Sequence, residues 1–398
     1  MTGAGRTPAT PPALPLRREC PYHPPRAYEE LRDRGPLTEV RLFDGRTVWA
    51  VTGHGLVRDL LSDARLSVDR SHPDFPRLTR VLTSVPPERR RAMQPLLSTD
   101  PPLHAEQRRA LLAGFTLKRV RALRPALEGA ADAHLNEMVA EQGPATDLVA
   151  AYVRPLVTTG ISLLLGVRGR DESVLKDLLS RHFDPIPALM DHFTALLNDG
   201  SGPVRPDTDL LGHLHARIAE GTLAAEDAAR YLTVLVVAGQ DVTVHTIAVG
   251  VLALLAHPAQ LAGLRSGQVP WPGAIEELLR FVSLTGGLVR LATADIPTTA
   301  GLIRAGDGVL LLNPAANRDP AVFDRPHELD LLRPARSHLT FGFGVHQCIG
   351  HNLARLDLEV ALRRLFTRLP SLRLTVPVEQ VPLRQGLVSG ITSLPVSW

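Results

Sequence analysis

The chain has 398 residues, 44% of them hydrophobic and 21% charged, which is the composition of an ordinary globular protein. Its net charge is only +3, and no stretch combines clustered basic residues with aromatic ones, so we expect no nucleic-acid partner. The two cysteines, Cys20 and Cys348, are too few for a disulfide framework and form no CxxC pair, which disfavours a zinc site.

Residues 1–25 are rich in proline and carry no apolar segment typical of a signal peptide, so we expect an extended arm before a single domain of residues 26–398. Residues 27–34 have the pattern of a short helix. The alternating runs 38–43 and 47–53 are joined by Asp44-Gly45, which predicts a β-hairpin, and residues 53–63 predict a helix after it.

Helical periodicity dominates from residue 104 to about residue 260. Its most apolar part predicts a long helix from near Ala225 to just before Pro258. Gln240 and Asp241 interrupt this apolar run, so we favour a core helix over a membrane span and expect a cytoplasmic protein without a membrane segment.

Further elements are predicted in the C-terminal part of the chain. Residues 272–282 predict another helix, and residues 286–296 and 304–314 contain strand-like runs. A last long helix is predicted within residues 351–370. The predicted fold class is therefore mostly α, with a small β region at both ends of the sequence.

A glycine-rich loop around Cys348 carries the strongest chemical signal. Gly342 and Gly344 precede the cysteine, Gly350 follows it, and Phe341 opens the segment. Glycine permits positive φ and a close backbone approach, and the start of a helix favours a thiolate. Such a thiolate suits a haem iron, since nearby N–H donors tune its electron donation. A buried structural cysteine is the alternative.

This loop resembles that of the cytochrome P-450 family, which reads Phe-Gly-x-Gly-x-His-x-Cys-x-Gly. Every fixed position is filled, with His346 as the histidine. The resemblance implies a mostly α, single-domain haem-thiolate fold that binds haem b with Cys348 as the axial ligand. It also implies haem contacts from the loop and the helix after it, namely Phe341, Gly342, Gly350 and Ala354.

Further family positions lie along the chain. Glu277 and Arg280 match the ExxR helix, and Arg333 stands where the family has its third partner; we interpret these three as a structural lock. The two haem propionates need cationic or N–H donors. The resemblance assigns this role to four residues, His104, Arg108, Arg290 and His346.

In the long helix the sequence Ala-Gly-Gln-Asp resembles the family's oxygen-side segment. The resemblance implies that Gly239 makes room for dioxygen and that Asp241 takes part in a proton relay. A carboxylate paired at a helix–helix contact is the alternative interpretation of Asp241. His245 has no family role, and a satisfied core histidine is its simpler interpretation.

The chain departs from the family after this acid. Val242 stands where the family usually has threonine, and Thr243 comes one residue later. A one-residue shift turns a helical side chain by about 100°, so Thr243 should not substitute. Three explanations stay open: substrate or water supplies the hydroxyl, the reaction is an oxidative coupling that needs it less, or the protein binds haem and substrate without turnover.

The resemblance implies a monooxygenase that oxidises a bulky, hydrophobic secondary metabolite. Electrons from NAD(P)H would arrive through a ferredoxin and a ferredoxin reductase, and we expect a monomer. Oxidative coupling or desaturation, and a non-catalytic haem or substrate-binding partner, are the alternatives. The predicted pocket walls are small and apolar, and Gly286 beside them is expected to leave room for a ligand: Val237, Ala238, Val242, Gly287, Leu288, Val289 and Val388.

Overall fold

The structure is a computed structural model that describes residues 10–80, 86, 90, 93–141, 143–180, 184–199 and 209–398. Residues 1–9 of the predicted arm lie outside the described residues. Helix α1 (Ala27–Arg34), strands β1 (Leu37–Arg41) and β2 (Thr47–Val51) and helix α2 (His54–Leu61) confirm the predicted elements at this end. The hairpin closes as predicted: Gly45 has φ +89°, and the Leu42 N–H donates to the Arg46 carbonyl at 2.8 Å.

The middle of the chain is helical, as predicted. The longest helix is α10, whose 32 residues begin at Ala225 and end at Ala256, in agreement with the predicted bounds. The helices of this half and of the C-terminal half are α3 (Leu103–Leu112), α4 (Leu117–Ala122), α5 (Arg124–Glu141), α6 (Arg154–Leu165), α7 (Arg170–Ser180), α8 (Ile186–Asp199), α9 (Leu210–Ala219), α10, α11 (Pro258–Arg265), α12 (Trp271–Val282), α13 (Asn313–Ala316) and α14 (His351–Arg368).

One periodic stretch forms two helices rather than one. The pattern from residue 119 to residue 141 is continuous, yet the structure ends α4 at Ala122 and begins α5 at Arg124. Pro125 lies in the first turn of α5, where its missing N–H is tolerated. Inside one uninterrupted helix, it could not donate the usual hydrogen bond to the carbonyl four residues earlier.

Five strands form the main sheet in the order β1-β2-β8-β5-β3. β2 and β8 run parallel, whereas the other neighbours are antiparallel. Among the described residues, three small sheets, β4-β12-β9, β10-β11 and β6-β7, complete the β region. The remaining strands are β3 (Leu66–Ser67), β4 (Ala145–Asp147), β5 (Leu288–Ala292), β6 (Ile296–Thr298), β7 (Gly301–Ile303), β8 (Gly308–Leu311), β9 (Arg373–Leu374), β10 (Leu383–Arg384), β11 (Gly390–Ile391) and β12 (Pro395–Ser397).

Helix α10 runs through the helical core and packs against α6, α8, α14 and β11. Within the described part of the chain it is the one helix long and apolar enough to cross a membrane, but 56% of its most apolar window is buried inside the protein. Residues 247–249 and 251–254 have no measurable exposure. This burial is what a core helix requires and agrees with the sequence-based choice.

The described part of the N-terminal arm is extended, but it is tied to the domain. The Leu14 N–H donates to the Arg41 carbonyl at 2.9 Å, and the Arg41 N–H donates to Pro12 at 2.8 Å. Arg18 is buried and donates to the carbonyls of Val282 and Ser283. The described part of the arm thus finds hydrogen-bond partners on the domain, and the division at residue 25 stays a prediction.

The predicted lock of three charged residues exists as one buried network. Arg280 donates to both carboxylate oxygens of Glu277 at 2.7 Å, and Arg333 Nε lies 3.2 Å from the same carboxylate. Arg280 also donates to the carbonyls of Asn317 and Pro326 at 2.8 Å. The network thus fastens α12 to the irregular segment that leads to the cysteine loop.

We expect Glu277→Gln to destabilise the protein by about 3–5 kcal/mol, since it leaves two buried guanidinium groups without their shared counter-charge. Urea unfolding followed by circular dichroism measures this. Glu328→Gln is the matched control, because Glu328 pairs with Arg325 at the surface and an exposed pair contributes only about 0–1 kcal/mol. Equal losses in the two variants would contradict the structural role of the network.

Candidate functional site

The loop that carries Cys348 is shaped by its glycines. Gly342 and Gly344 have φ values of +68° and +74°, a region that side chains other than glycine disfavour. A Cβ on Gly344 would lie 2.9 Å from the Leu61 carbonyl at the end of α2. The Cys348 N–H donates to the Phe341 carbonyl at 2.9 Å, which closes the loop before α14 begins.

The thiol of Cys348 faces an internal space. The residue is accessible to solvent, yet burial raises the pKa of its thiol, so the sulfur is exposed while protein surrounds it. The Gly350 N–H at the start of α14 and the charges of Arg108 and Arg355 act in the opposite direction and favour the thiolate. An accessible sulfur that receives an N–H hydrogen bond suits an iron ligand.

Two predicted propionate donors lie next to each other. The rings of His104, on α3, and His346, in the cysteine loop, have centroids 4.1 Å apart. Burial, followed by the charges of His104 and Arg290, lowers the pKa of His346 to about 4, so His346 is a neutral N–H donor near pH 7. Arg108, also on α3, donates to the Gln347 carbonyl at 2.8 Å and so joins α3 to the loop.

Arg290, the fourth predicted donor, is a buried cation that an anionic group would neutralise. Its guanidinium donates to the neighbouring Val289 carbonyl at 2.8 Å. Burial and the charge of Arg70 lower its pKa to about 10. Asp100 opposes this shift, but its carboxylate already accepts from Ser67 and from the Val68 N–H.

Sequence reasoning missed Arg70, since no local pattern distinguishes it from the other arginines of the chain. Its side chain is exposed, yet desolvation by the surrounding protein lowers its pKa. Two arginines that repel each other suit a ligand with anionic groups. Together with the Cys348 sulfur, they fit a haem with its propionates. Ala354 lies in the first turn of α14, where its N–H donates to the Gly350 carbonyl at 3.0 Å.

The predicted oxygen-side segment of α10 borders an open space. Ala238 is exposed in the middle of this core helix, and residues 237, 239 and 241–243 are half-buried. A Cβ on Gly239 would meet only Ile161, at 3.8 Å, so protein packing does not explain this glycine. Gln240 points elsewhere: its amide donates to the Thr158 hydroxyl on α6 at 2.8 Å.

Asp241 is not a free carboxylate. Arg384 of β10 donates to it, and His245 Nε2 lies 3.4 Å from its Oδ1. Burial alone would raise the pKa of Asp241, but hydrogen bonds from His245 and Arg384 hold it well below its usual range. Arg384 was missed because it lies 143 residues further along the chain. The interpretation of His245 as a satisfied core histidine was wrong, since its buried Nδ1 has no partner among the described residues.

The predicted pocket walls come together only in part. Val388 forms a β-bridge with Thr285, next to Leu288, whose Cδ1 would be 3.5 Å from a Cβ on Gly342. Val289 packs with a different apolar cluster, because neighbouring side chains on a strand point to opposite faces. It therefore does not share a wall with Leu288.

The two glycines of the predicted pocket, Gly286 and Gly287, both have close neighbours in the protein. A Cβ on Gly287, whose φ is +112°, would lie 2.8 Å from Leu310, so this glycine is required by the main sheet. A Cβ on Gly286 would contact Leu387 and Leu16 at 3.4–3.5 Å. The packing of the main sheet thus accounts for Gly287, and Gly286 lies against Leu387 and Leu16; that either glycine borders a ligand stays a prediction.

We expect Gly344→Ala to reduce haem content several-fold, because alanine at φ +74° is strained and its Cβ would collide with the Leu61 carbonyl. Haem content per chain and the carbon monoxide difference spectrum measure this. Gly55→Ala is the control: it lies in α2, and nothing lies within 4 Å of its Cβ. Unchanged haem content in Gly344→Ala would mean that the loop does not depend on its glycine.

Comparison with known proteins agrees with this geometry. The cytochrome P450 family model matches residues 272–392, which include both the Glu277 network and the cysteine loop. The chain is 43% identical to cytochrome P450-SOY of Streptomyces griseus, over 98% of this chain and 96% of that protein. It is 42% identical to pentalenic acid synthase of Streptomyces avermitilis, with both chains covered completely.

Solved structures give the same result. The crystal structure of CYP105N1 from Streptomyces coelicolor A3(2) has a TM-score of 0.90 at 35% identity and covers 98% of this chain and 99% of its own. That of mycinamicin VIII C21 methyl hydroxylase from Micromonospora griseorubida, bound to mycinamicin VIII, has a TM-score of 0.87 at 34% identity and covers 97% and 100%. The chain therefore belongs to the cytochrome P450 family, with haem as its cofactor and a cysteine thiolate as the axial ligand.

Proposed function

We propose that this haem-thiolate monooxygenase inserts oxygen into a bulky, apolar metabolite. The observation that carries the proposal is the accessible sulfur of Cys348, which receives an N–H hydrogen bond and lies in a glycine-shaped loop. When bound, the haem activates dioxygen and supplies the oxidising power of the reaction. The protein supplies the ligand, the position of the substrate and the route of the proton.

Each part of the site has a distinct task. Cys348 ligates the iron, and the Gly350 N–H limits the charge on its sulfur. Arg290, Arg108 and Arg70 orient the cofactor through its propionates. Asp241, held ionised by its hydrogen bonds, is the residue placed to accept and pass on protons.

The substrate class follows from the pocket and the relatives. The open stretch of α10 is apolar at Val237, Ala238 and Val242, and Leu288 and Val388 are the apolar residues that we propose for the remaining wall. Such walls favour an apolar ligand. The names of the relatives include pentalenic acid synthase, vitamin D3 dihydroxylase and mycinamicin VIII C21 methyl hydroxylase, all of which point to large organic molecules. A secondary metabolite of this kind is the substrate that we propose here.

Electrons come from NAD(P)H through a ferredoxin and a ferredoxin reductase, and the enzyme works as a cytoplasmic monomer. The chain matches its relatives over almost their whole length, so it resembles proteins of a single P450 domain. Beside the cysteine loop, Val345 is exposed, and Arg58 lies over the ring of Phe343 at 4.5 Å. A basic and apolar surface near the iron ligand supports docking of an acidic electron carrier.

Oxidative coupling or desaturation is the second candidate, and Val242 is the observation that favours it. The valine cannot donate a hydrogen bond where the family usually has threonine. A reaction that removes hydrogen without inserting oxygen depends less on that hydroxyl. The complete set of haem donors serves either reaction. Asp241 favours oxygen insertion all the same, because it is placed to deliver protons.

Turnover under ¹⁸O₂ decides between the two candidates. The holoenzyme, a ferredoxin, its reductase and NADPH are incubated with an apolar metabolite extract, and product masses are read. We expect a product that carries one heavy oxygen, and none from Cys348→Ala. Unlabelled products that have lost hydrogen or doubled in mass would overturn the monooxygenase and support coupling or desaturation.

We expect Thr243→Val to leave the product formed per NADPH nearly unchanged, because Thr243 is turned about 100° from the family's hydroxyl position. Val242→Thr restores a hydroxyl at that position and should raise the ratio. Both ratios are measured from NADPH consumption and product mass. A loss of tenfold or more in Thr243→Val, about 1.4 kcal/mol, would show that Thr243 supplies the missing hydroxyl.

A further inference from the structure

The carboxylate of Asp241 is held from outside its own helix. Arg384 lies on β10, and its Nη1 contacts both Asp241 Oδ2 and His245 Nε2. His245 lies one turn after Asp241 on α10, with its Nε2 3.4 Å from Asp241 Oδ1. These are the charged or titratable groups whose contacts with Asp241 the described structure gives. We call the three residues the Asp241 triad.

The backbone that carries Arg384 is anchored on two sides. The side chain of Gln385 accepts from the Arg18 N–H at 3.0 Å and donates to the Arg18 carbonyl at 2.8 Å. After the turn, Leu387 accepts from the Gly286 N–H at 2.7 Å, and Ser389 donates to Leu284 at 2.9 Å. The N-terminal arm and the α12–β5 connection thus fix the hairpin formed by β10 and β11.

The imidazole of His245 is fixed by the same hairpin. The residue is buried, and a Cβ on Gly390 of β11 would lie 2.5 Å from its Cγ. Only glycine at this position lets the strand approach the ring so closely. Both partners of Asp241 are therefore immobilised by β10 and β11, although one of them belongs to α10.

The Asp241 triad has a fixed geometry, yet part of it is open to solvent. The side chains of Asp241 and Arg384 are 40% and 38% exposed, so water reaches the carboxylate although it is paired. Val242, the next residue along α10, offers no hydroxyl for a proton. A proton that leaves Asp241 must therefore pass to a water molecule or to the substrate.

We propose that Arg384 and His245 are positioning residues of the monooxygenase reaction, which hold Asp241 as an oriented carboxylate beside Val242. Asp241 takes a proton that the solvent delivers as hydronium at its exposed edge, which leaves a water molecule. It gives this proton to a water molecule or substrate hydroxyl next to Val242, which regenerates the carboxylate, and that acceptor releases a proton of its own towards the reaction site. This inference rests on the proposed function. It assigns control of the relay to the C-terminal hairpin, through Arg384.

The test uses the holoenzyme and five variants: Arg384→Gln, Arg384→Lys, Asp241→Asn, the double variant Arg384→Gln/Asp241→Asn, and Arg325→Gln as a control. Arg325 belongs to an exposed ion pair at the surface. Urea unfolding of the wild type, Arg384→Gln, Asp241→Asn and their double variant forms a double-mutant cycle. If the triad exists, the cycle shows coupling of about threefold or more in the unfolding equilibrium constant.

The pH profile of product formation is the second readout. In the wild type, Asp241 stays ionised because its partners lower its pKa, so we expect little loss of rate from about pH 8 to about pH 5 on its account. Without the Arg384 cation the pKa of Asp241 rises, because burial is then opposed by fewer partners, so its protonation begins at a higher pH than in the wild type. Arg384→Gln should therefore lose rate as the pH falls, Arg384→Lys should restore part of it, and Arg325→Gln should follow the wild type.

The outcomes separate this inference from the proposed function. The positioning role is overturned if the unfolding free energies of the double-mutant cycle are additive. It is also overturned if the pH profile of product formation is the same in Arg384→Gln as in the wild type. A larger loss in Arg384→Lys than in Arg384→Gln overturns it as well, since the cation would then not be what matters. A wild-type enzyme that yields no labelled product refutes the proposed function, and the unfolding cycle is read independently of turnover.

Discussion

The position of one sulfur atom governs the arrangement of this site. Cys348 lies in a loop that closes with a hydrogen bond to the Phe341 carbonyl. The Leu61 carbonyl lies so close to Gly344 of this loop that only glycine fits there. The same loop places His346 against α3, and it ends where α14 starts. Because a backbone hydrogen bond closes the loop, the position of the sulfur does not depend on the side chains around it, and these can be arranged for chemistry.

Two arrangements of arginine distinguish the lock from the site. Arg280 lies against Glu277 and several carbonyls, so its charge is compensated inside the protein. Arg290 and Arg70 repel each other, and the nearby carboxylate of Asp100 is engaged elsewhere. The first arrangement stabilises the fold, whereas the second one suits an anionic ligand. A buried guanidinium therefore supports the fold where protein groups neutralise it, and it indicates a ligand site where they do not.

The arm and the C-terminal hairpin have a larger part in the site than their place in the sequence suggests. Arg18 fastens Gln385, the neighbour of Arg384, while Gly390 accommodates the ring of His245. Both chain ends thus act on the polar centre of α10. This arrangement explains how a carboxylate, an imidazole and a guanidinium are accommodated at the edge of an apolar helix: each has a partner that the hairpin positions.

Local patterns in the sequence determined the hairpin at Asp44-Gly45, the bounds of α10 and the cysteine loop, because each depends on residues a few positions apart. The haem donors could be predicted from family spacing, and the structure brings His104 and His346 together. Only the tertiary structure decided the partners of Asp241, the role of Arg70 and the packing reason for Gly287. These depend on contacts between segments far apart in the chain, and an arginine or a glycine looks the same in the sequence whichever surface it meets.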